Sequence, residues 1–81
     1  MKVRVKLFAV AKELAAHDAL FVDVPQNATV ADVQEAVVAS VPQLSKIVRN
    51  ALWAIGTEYV SSDTGVTEHS DVAMIPPVSG G

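Results

Sequence analysis

The sequence contains no cysteine. That removes disulfides, thiolate metal sites and cysteine nucleophiles from the possible chemistry. Its two histidines, His17 and His69, are not spaced as metal ligands. Aromatic residues make up only 5% of the chain, and the net charge is −3. An acidic chain with few aromatics argues against nucleic acid as the main partner, because phosphate recognition needs a basic face. No apolar run approaches the roughly 20 residues that span a bilayer. The chain starts on a charged alternating segment, unlike a signal peptide. These absences lead us to expect a soluble cytoplasmic protein with no membrane partner. There is no glycine-rich phosphate loop, no nucleophile elbow and no carboxylate pair set in an apolar pocket. Ser61-Ser62-Asp63 and His69 share one polar loop, which does not supply the fixed geometry of a catalytic triad.

What remains is an apolar chain of 81 residues, 51% hydrophobic. Its length fits one small domain that buries about 60–65% of its unfolded surface. Charge is unevenly spread. Lys2, Arg4, Lys6 and Lys12 give the first twelve residues +4, and the rest of the chain carries −7. Such a basic segment is either a solvated strand face or a local docking feature.

Lys2 to Phe8 alternates strictly. Val3, Val5 and Leu7 face one way, and Lys2, Arg4, Lys6 and Phe8 the other, as in a strand with one buried face. Ala9 to Ala16 reads as a short helix, with His17-Asp18 as its exit. Leu20 to Val24 alternates again and stops at Pro25, and it should pair with the first strand. Thr29 and Asp32 form a capping-box-like start for the main helix. Val30, Val33, Val37 and Val41 lie on one stripe of it. Valine is a poor helix former, so packing on a sheet must hold this helix. Pro42 ends it, and Leu44 to Arg49 reads as one further irregular turn. Leu52 to Val60 reads as a hairpin around Gly56. Trp53 and Ile55 share one of its faces and Leu52 and Ala54 the other, and the pattern leaves open which is buried. Ser61 to Ser70 is a polar loop, and Val72 to Ile75 is the last strand. An α+β fold, a mixed sheet packed on one main helix, satisfies these pieces.

The sequence then ends Pro76-Pro77-Val78-Ser79-Gly80-Gly81. Two prolines remove two backbone donors and hold φ near the polyproline value. Two glycines leave a thin tip whose last group is a carboxylate. Such a stiff base with a flexible tip suits entry into another protein's site, where the absence of Cβ permits close approach. A carboxylate is a poor electrophile until it is joined to AMP, and the activating site must be narrow. A small sheet-and-helix domain with a free Gly80-Gly81 resembles the ubiquitin-like β-grasp group.

Within that group the chain resembles the small-subunit family of molybdopterin synthase along nearly its whole length. The matching stretches are Leu7-Phe8-Ala9 with Glu13-Leu14, Thr29-Val30, Ala54-Ile55 through Tyr59-Val60, and Asp71-Val72-Ala73 running into Pro76-Pro77-Val78-Ser79-Gly80-Gly81. The last is the specific signal. Conjugated modifiers usually carry a basic residue or histidine before Gly-Gly, and the thiamin-pathway carrier lacks the Phe-Ala segment. One departure is His69-Ser70 where the family commonly has a glycine turn before Asp71, so a differently shaped turn is expected there.

The resemblance implies a β-grasp domain over residues 1–75 and a functional tail over 76–81. It implies a sulfur carrier with no permanently bound cofactor. Gly81 would be adenylated by a ubiquitin-activating-enzyme-like partner at the expense of ATP and converted to a thiocarboxylate. The tail would then enter the large catalytic subunit, with Gly80 giving access, and pass sulfur to cyclic pyranopterin monophosphate. Catalytic acids and bases would lie on that large subunit, in a heterotetramer of two small and two large chains. Carried over residue by residue, the docking patch is Phe8, Tyr59 and Ile75, with Pro76, Pro77, Val78 and Ser79 guiding the tail. Tyr59 is alternatively a hairpin core residue, and Ile75 is alternatively covered by the first helix. A sulfur carrier for thiamin, a ubiquitin-like protein modifier and a passive interaction domain are the other functions the sequence leaves open.

Overall fold

A computed structural model describes residues 1–77. The elements run β1 (Lys2–Leu7), α1 (Ala9–Ala15), β2 (Ala19–Asp23), α2 (Val30–Ser40), a 3-10 turn (Pro42–Leu44), α3 (Ser45–Asn50), β3 (Leu52–Ile55), β4 (Glu58–Val60) and β5 (Val72–Ile75). The five strands form one mixed sheet in the order β2-β1-β5-β3-β4. β1 pairs antiparallel with β2 and parallel with β5. β3 lies between β5 and β4, antiparallel to both. The expected α+β architecture, one main helix across one face of a mixed sheet, is what forms.

Alternation decides which face is covered. Val3, Val5 and Leu7 of β1, Val22 of β2, Trp53 of β3, and Val72 and Met74 of β5 are buried in one core. Val30, Val33 and Val37 of α2 meet them and are fully buried. Each such side chain contributes about 1.5–3 kcal/mol on burial, which outweighs the tenths of a kcal/mol that valine costs a helix. The hairpin's open question is thereby resolved: Trp53 faces the core, while Leu52 is exposed on the opposite face. Leu44 and Val48 complete the core from beyond α2. The segment read as one irregular turn is a 3-10 turn followed by the regular helix α3, since Pro42 sits where a new helical turn starts without needing its N–H.

The polar loop after β4 does more than connect. The first N–H groups of a helix have no partner within it. Here Val30 N–H donates to the Thr64 carbonyl at 2.9 Å and Ala31 N–H to that of Ser62 at 2.8 Å. Val66 N–H donates back to Ala28 at 2.9 Å, and Val66 itself is buried. The expected cap is present: Thr29 N–H donates to Asp32 Oδ2 at 2.9 Å, and the Thr29 hydroxyl donates to the same oxygen at 3.3 Å. The turn that lacks the family's glycine is closed by Ser70 N–H to the Thr67 carbonyl at 3.1 Å and Thr67 N–H to Ser70 Oγ at 2.9 Å. Neither His69 nor Ser70 has positive φ, so that turn has no need of glycine. Gly56 does adopt positive φ, at 63°, in the β3–β4 turn.

Two stability predictions follow from these ends. Ala16 caps α1 in the left-handed conformation, φ 61° and ψ 23°, and its side chain is exposed. Ala16→Gly removes the Cβ strain there at the expense of a more flexible unfolded chain, so urea denaturation should show about 0.5–1 kcal/mol of added stability. Asp32→Ala leaves the Thr29 N–H without its acceptor, and the same measurement should show a loss of about 1 kcal/mol.

Candidate functional site

The face of the sheet opposite α2 carries the docking residues named above. Phe8 follows β1 with extended backbone, φ −131° and ψ 155°, so strand alternation points it away from the core. The next residue, Ala9, turns the chain into α1 at φ 52°. Leu7 pairs with Met74 in the parallel ladder, so the next step places Phe8 beside Ile75. Ile75 in turn pairs with Leu52. Phe8, Ile75 and Leu52 therefore form one row across three strands. In the neighbouring row on this face, Lys6 pairs with Ala73, Ala73 with Ala54, and Ala54 with Tyr59.

The three predicted patch residues thus come together on one face. Phe8 is 40% exposed and Tyr59 69% exposed, so Tyr59 is a surface residue and no part of the hairpin core. Ile75 is half-buried, flanked by Phe8 and Leu52. Leu52, at 55% exposure, belongs to the same patch and was missed. Its pairing with Ile75 reveals it, and register is not readable from a four-residue apolar strand. Contiguous exposed apolar patches are a common feature of interaction surfaces.

β5 delivers the chain to the patch's edge. Pro76 is buried and Pro77 exposed, so the tail is gripped at its base just after Ile75. The positions assigned to the tail itself, Val78, Ser79, Gly80 and Gly81, lie outside the described residues.

Among the described residues no polar or charged side chain is buried, and no cluster of acids and histidines is disposed to hold a metal ion. A general acid or base is ordinarily tuned by burial and close charges. The Ser61 hydroxyl donates to Asp63, while His69 lies beside Glu68 at 3.5 Å, so the loop assembles no triad. No helix among the described residues is long and apolar enough to cross a membrane.

Comparison with known proteins agrees with this geometry. Residues 5–81 match the ThiS family. The molybdopterin synthase sulfur carrier subunit of Dictyostelium discoideum is 35% identical over 81 residues, covering 96% of this chain and 94% of the relative. The crystal structure of SAMP1 from Haloferax volcanii superposes with a TM-score of 0.88 at 29% identity over the whole of both chains. Subunits 1 and 2 of the molybdopterin-converting factor of Helicobacter pylori have been solved as a complex. A chain of that complex shares the fold, with a TM-score of 0.70 at 18% identity over the whole of both chains. The fold is therefore the ubiquitin-like β-grasp, and the chain belongs to the ThiS family, alongside the sulfur carrier subunits of molybdopterin synthase.

Proposed function

We propose that this chain is the sulfur carrier subunit of molybdopterin synthase. The observation that carries the reading is the patch of Phe8, Ile75, Leu52 and Tyr59 at the point where β5 hands over to Pro76 and Pro77, on a domain with no buried titratable group among its described residues. The domain docks and the tail reacts. The Gly81 carboxylate attacks the α-phosphorus of ATP in the activating partner, giving an acyl adenylate and releasing pyrophosphate. A sulfide-equivalent nucleophile then displaces AMP and leaves a C-terminal thiocarboxylate. That sulfur is ionised at neutral pH and is a better nucleophile than a carboxylate oxygen. The tail next enters the large subunit, whose own residues supply acid–base catalysis, and sulfur passes to cyclic pyranopterin monophosphate. Two rounds build the dithiolene. Two small and two large chains assemble in the working enzyme, in the cytoplasm.

Intact mass spectrometry tests the central step. After incubation with the activating partner, ATP and a sulfur donor, the full chain should gain the mass difference between sulfur and oxygen, and the chain lacking Gly81 should gain nothing. An unchanged full chain would sink the carrier reading. The patch is tested separately. Phe8→Ala should weaken binding to the large subunit about tenfold to a hundredfold, the range expected for a central aromatic anchor. Phe21→Ala, on the same face but on the edge strand β2, should change it less than about twofold.

The similarity to SAMP1, a small archaeal modifier protein, favours one second reading, in which Gly81 forms isopeptide bonds with target lysines. A ladder of covalent conjugates that disappears when Gly81 is removed would support it, and the thiocarboxylate mass gain alone would not.

A further inference from the structure

Phe21 is 64% exposed and stands on β2, an edge of the sheet, away from the docking patch. We propose that β2 is a self-association edge, on which a second copy of this chain adds its own β2 antiparallel, joining two sheets into one of ten strands.

The backbone shows which groups are available. Met1 and Val24 exchange hydrogen bonds: Val24 N–H donates to the Met1 carbonyl at 2.9 Å, and the Met1 amino group donates to the Val24 carbonyl at 2.6 Å. Leu7 N–H donates to the Asp18 carbonyl at 2.9 Å. In an antiparallel ladder such pairs alternate. Val24, Val22, Leu20 and Asp18 therefore direct their peptide groups at β1, and Ala19, Phe21 and Asp23 direct theirs outward. No hydrogen bond from these three outward peptide groups is formed among the described residues.

Edges are normally blunted by brevity, proline, lysine or a bulge. The other edge, β4, is three residues long and begins with Glu58. β2 has five residues, none of them proline or lysine, with a regular ladder along its whole length, and its one charged residue, Asp23, is paired with Lys2.

The geometry selects the occupant and the register. Placing Phe21 opposite Phe21 of the second copy also places Ala19 opposite Asp23 at both ends, and all three outward-facing residues then exchange hydrogen bonds. Every other register between these edges uses fewer of them. On the outer face the two Phe21 rings meet at the two-fold axis, each flanked by Arg4 of its own chain. On the inner face half-buried Leu20 meets Val22 of the second copy.

Charge is complementary in the same register. Lys2 pairs with Asp23 at 3.1 Å and Arg4 approaches Asp71 at 3.9 Å, whereas Lys6 makes no ion pair among the described residues. Its ammonium lies 5.9 Å from the Phe8 ring centroid, and its cross-strand neighbours are Ala19 and Ala73. Across the seam, beyond the small side chain of Ala19, stands Asp23 of the second copy, about two strand spacings (roughly 9.6 Å) from Lys6. The long lysine stem leads toward that carboxylate over a methyl group. Leu52 and Tyr59 lie toward the opposite edge, Ile75 is on the central strand, and Phe8 lies beyond the last pair of the seam, so the association leaves this patch uncovered.

Sedimentation velocity on the full chain from about 10 µM to about 1 mM covers the range of weak, transient interfaces. A monomer–dimer equilibrium should appear within it. Over the same range, exchange of the Ala19, Phe21 and Asp23 amides should slow by at least about tenfold as these groups become paired. Lys6→Glu and Asp23→Lys should each raise the dissociation constant about tenfold, and the double variant should return to within about threefold of the parent, the signature of a coupled pair. Rescue separates this from misfolding, and the amide measurement needs no variant. A chain that stays monomeric throughout, a dimer that leaves these amides unprotected, or a dimer indifferent to the charge swap would each overturn the proposal.

Discussion

The burial of Val3, Val5 and Leu7 fixes β1 in the interior of the sheet, and most of the molecule's geometry follows from it. Because these three face α2, Lys2, Arg4 and Lys6 must face away, and the extended backbone at Phe8 continues the alternation for one more residue. β1 also sets both neighbours. It holds β2 at the edge through an antiparallel ladder, and it brings β5 alongside in parallel, so that the last strand runs in the direction of the first. The parallel pairing places Ile75 next to Phe8 and starts the tail beside an apolar surface. A one-residue slip of β1 would put its charges into the core and its valines into water, so register here is strongly specified.

The sheet's uncovered face therefore has two halves with different chemistry. Toward β3 and β4 it is apolar, with Ile75, Leu52 and Tyr59 grouped beside Phe8. Toward β2 it is charged, with Lys2–Asp23 and Arg4–Asp71 as exposed pairs. Such pairs contribute little to stability, commonly under about 1 kcal/mol. They make that half of the face polar, in contrast to the half beside Ile75. Phe21 is the one large apolar side chain that breaks this division, and it does so on the free edge.

Strict alternation over Lys2 to Phe8 made β1 legible from the sequence, and the valine stripe with Thr29 and Asp32 did the same for α2. The apolar patch was legible only in part. Phe8 follows from parity, but Leu52 does not, because Leu52 and Ala54 are as apolar as Trp53 and Ile55, and a four-residue strand holds too few residues to break the tie. In the final turn, where the sequence lacks the family's glycine, Ser70 closes the chain at negative φ with its own hydroxyl. The loop before it hides a structural role behind polar residues. Its carbonyls at Ser62 and Thr64 satisfy the start of α2, and only Val66 hints at burial. Which strands form the edges was not readable, since edge position depends on the whole topology. β2 could not be recognised as an unpaired edge until β5 was seen to occupy the other side of β1.

Under the proposed function, these constraints divide the work between a folded domain and a reactive chain terminus. Reactivity at a chain terminus requires a thin tail that enters a foreign site, while specificity requires area. A tail of small residues buries too little surface to choose its partner, and ordering it on binding costs conformational entropy that its few contacts must offset. The folded domain supplies what the tail lacks. Under the proposed function its apolar patch, placed by strand register before binding, provides that area. Pro76, buried at the end of β5, fixes where the chain leaves the sheet. Separating the two tasks also removes a conflict. On that proposal, the residues that choose the partner never have to fit a narrow active site, and the residues that enter it never have to be recognised by bulk.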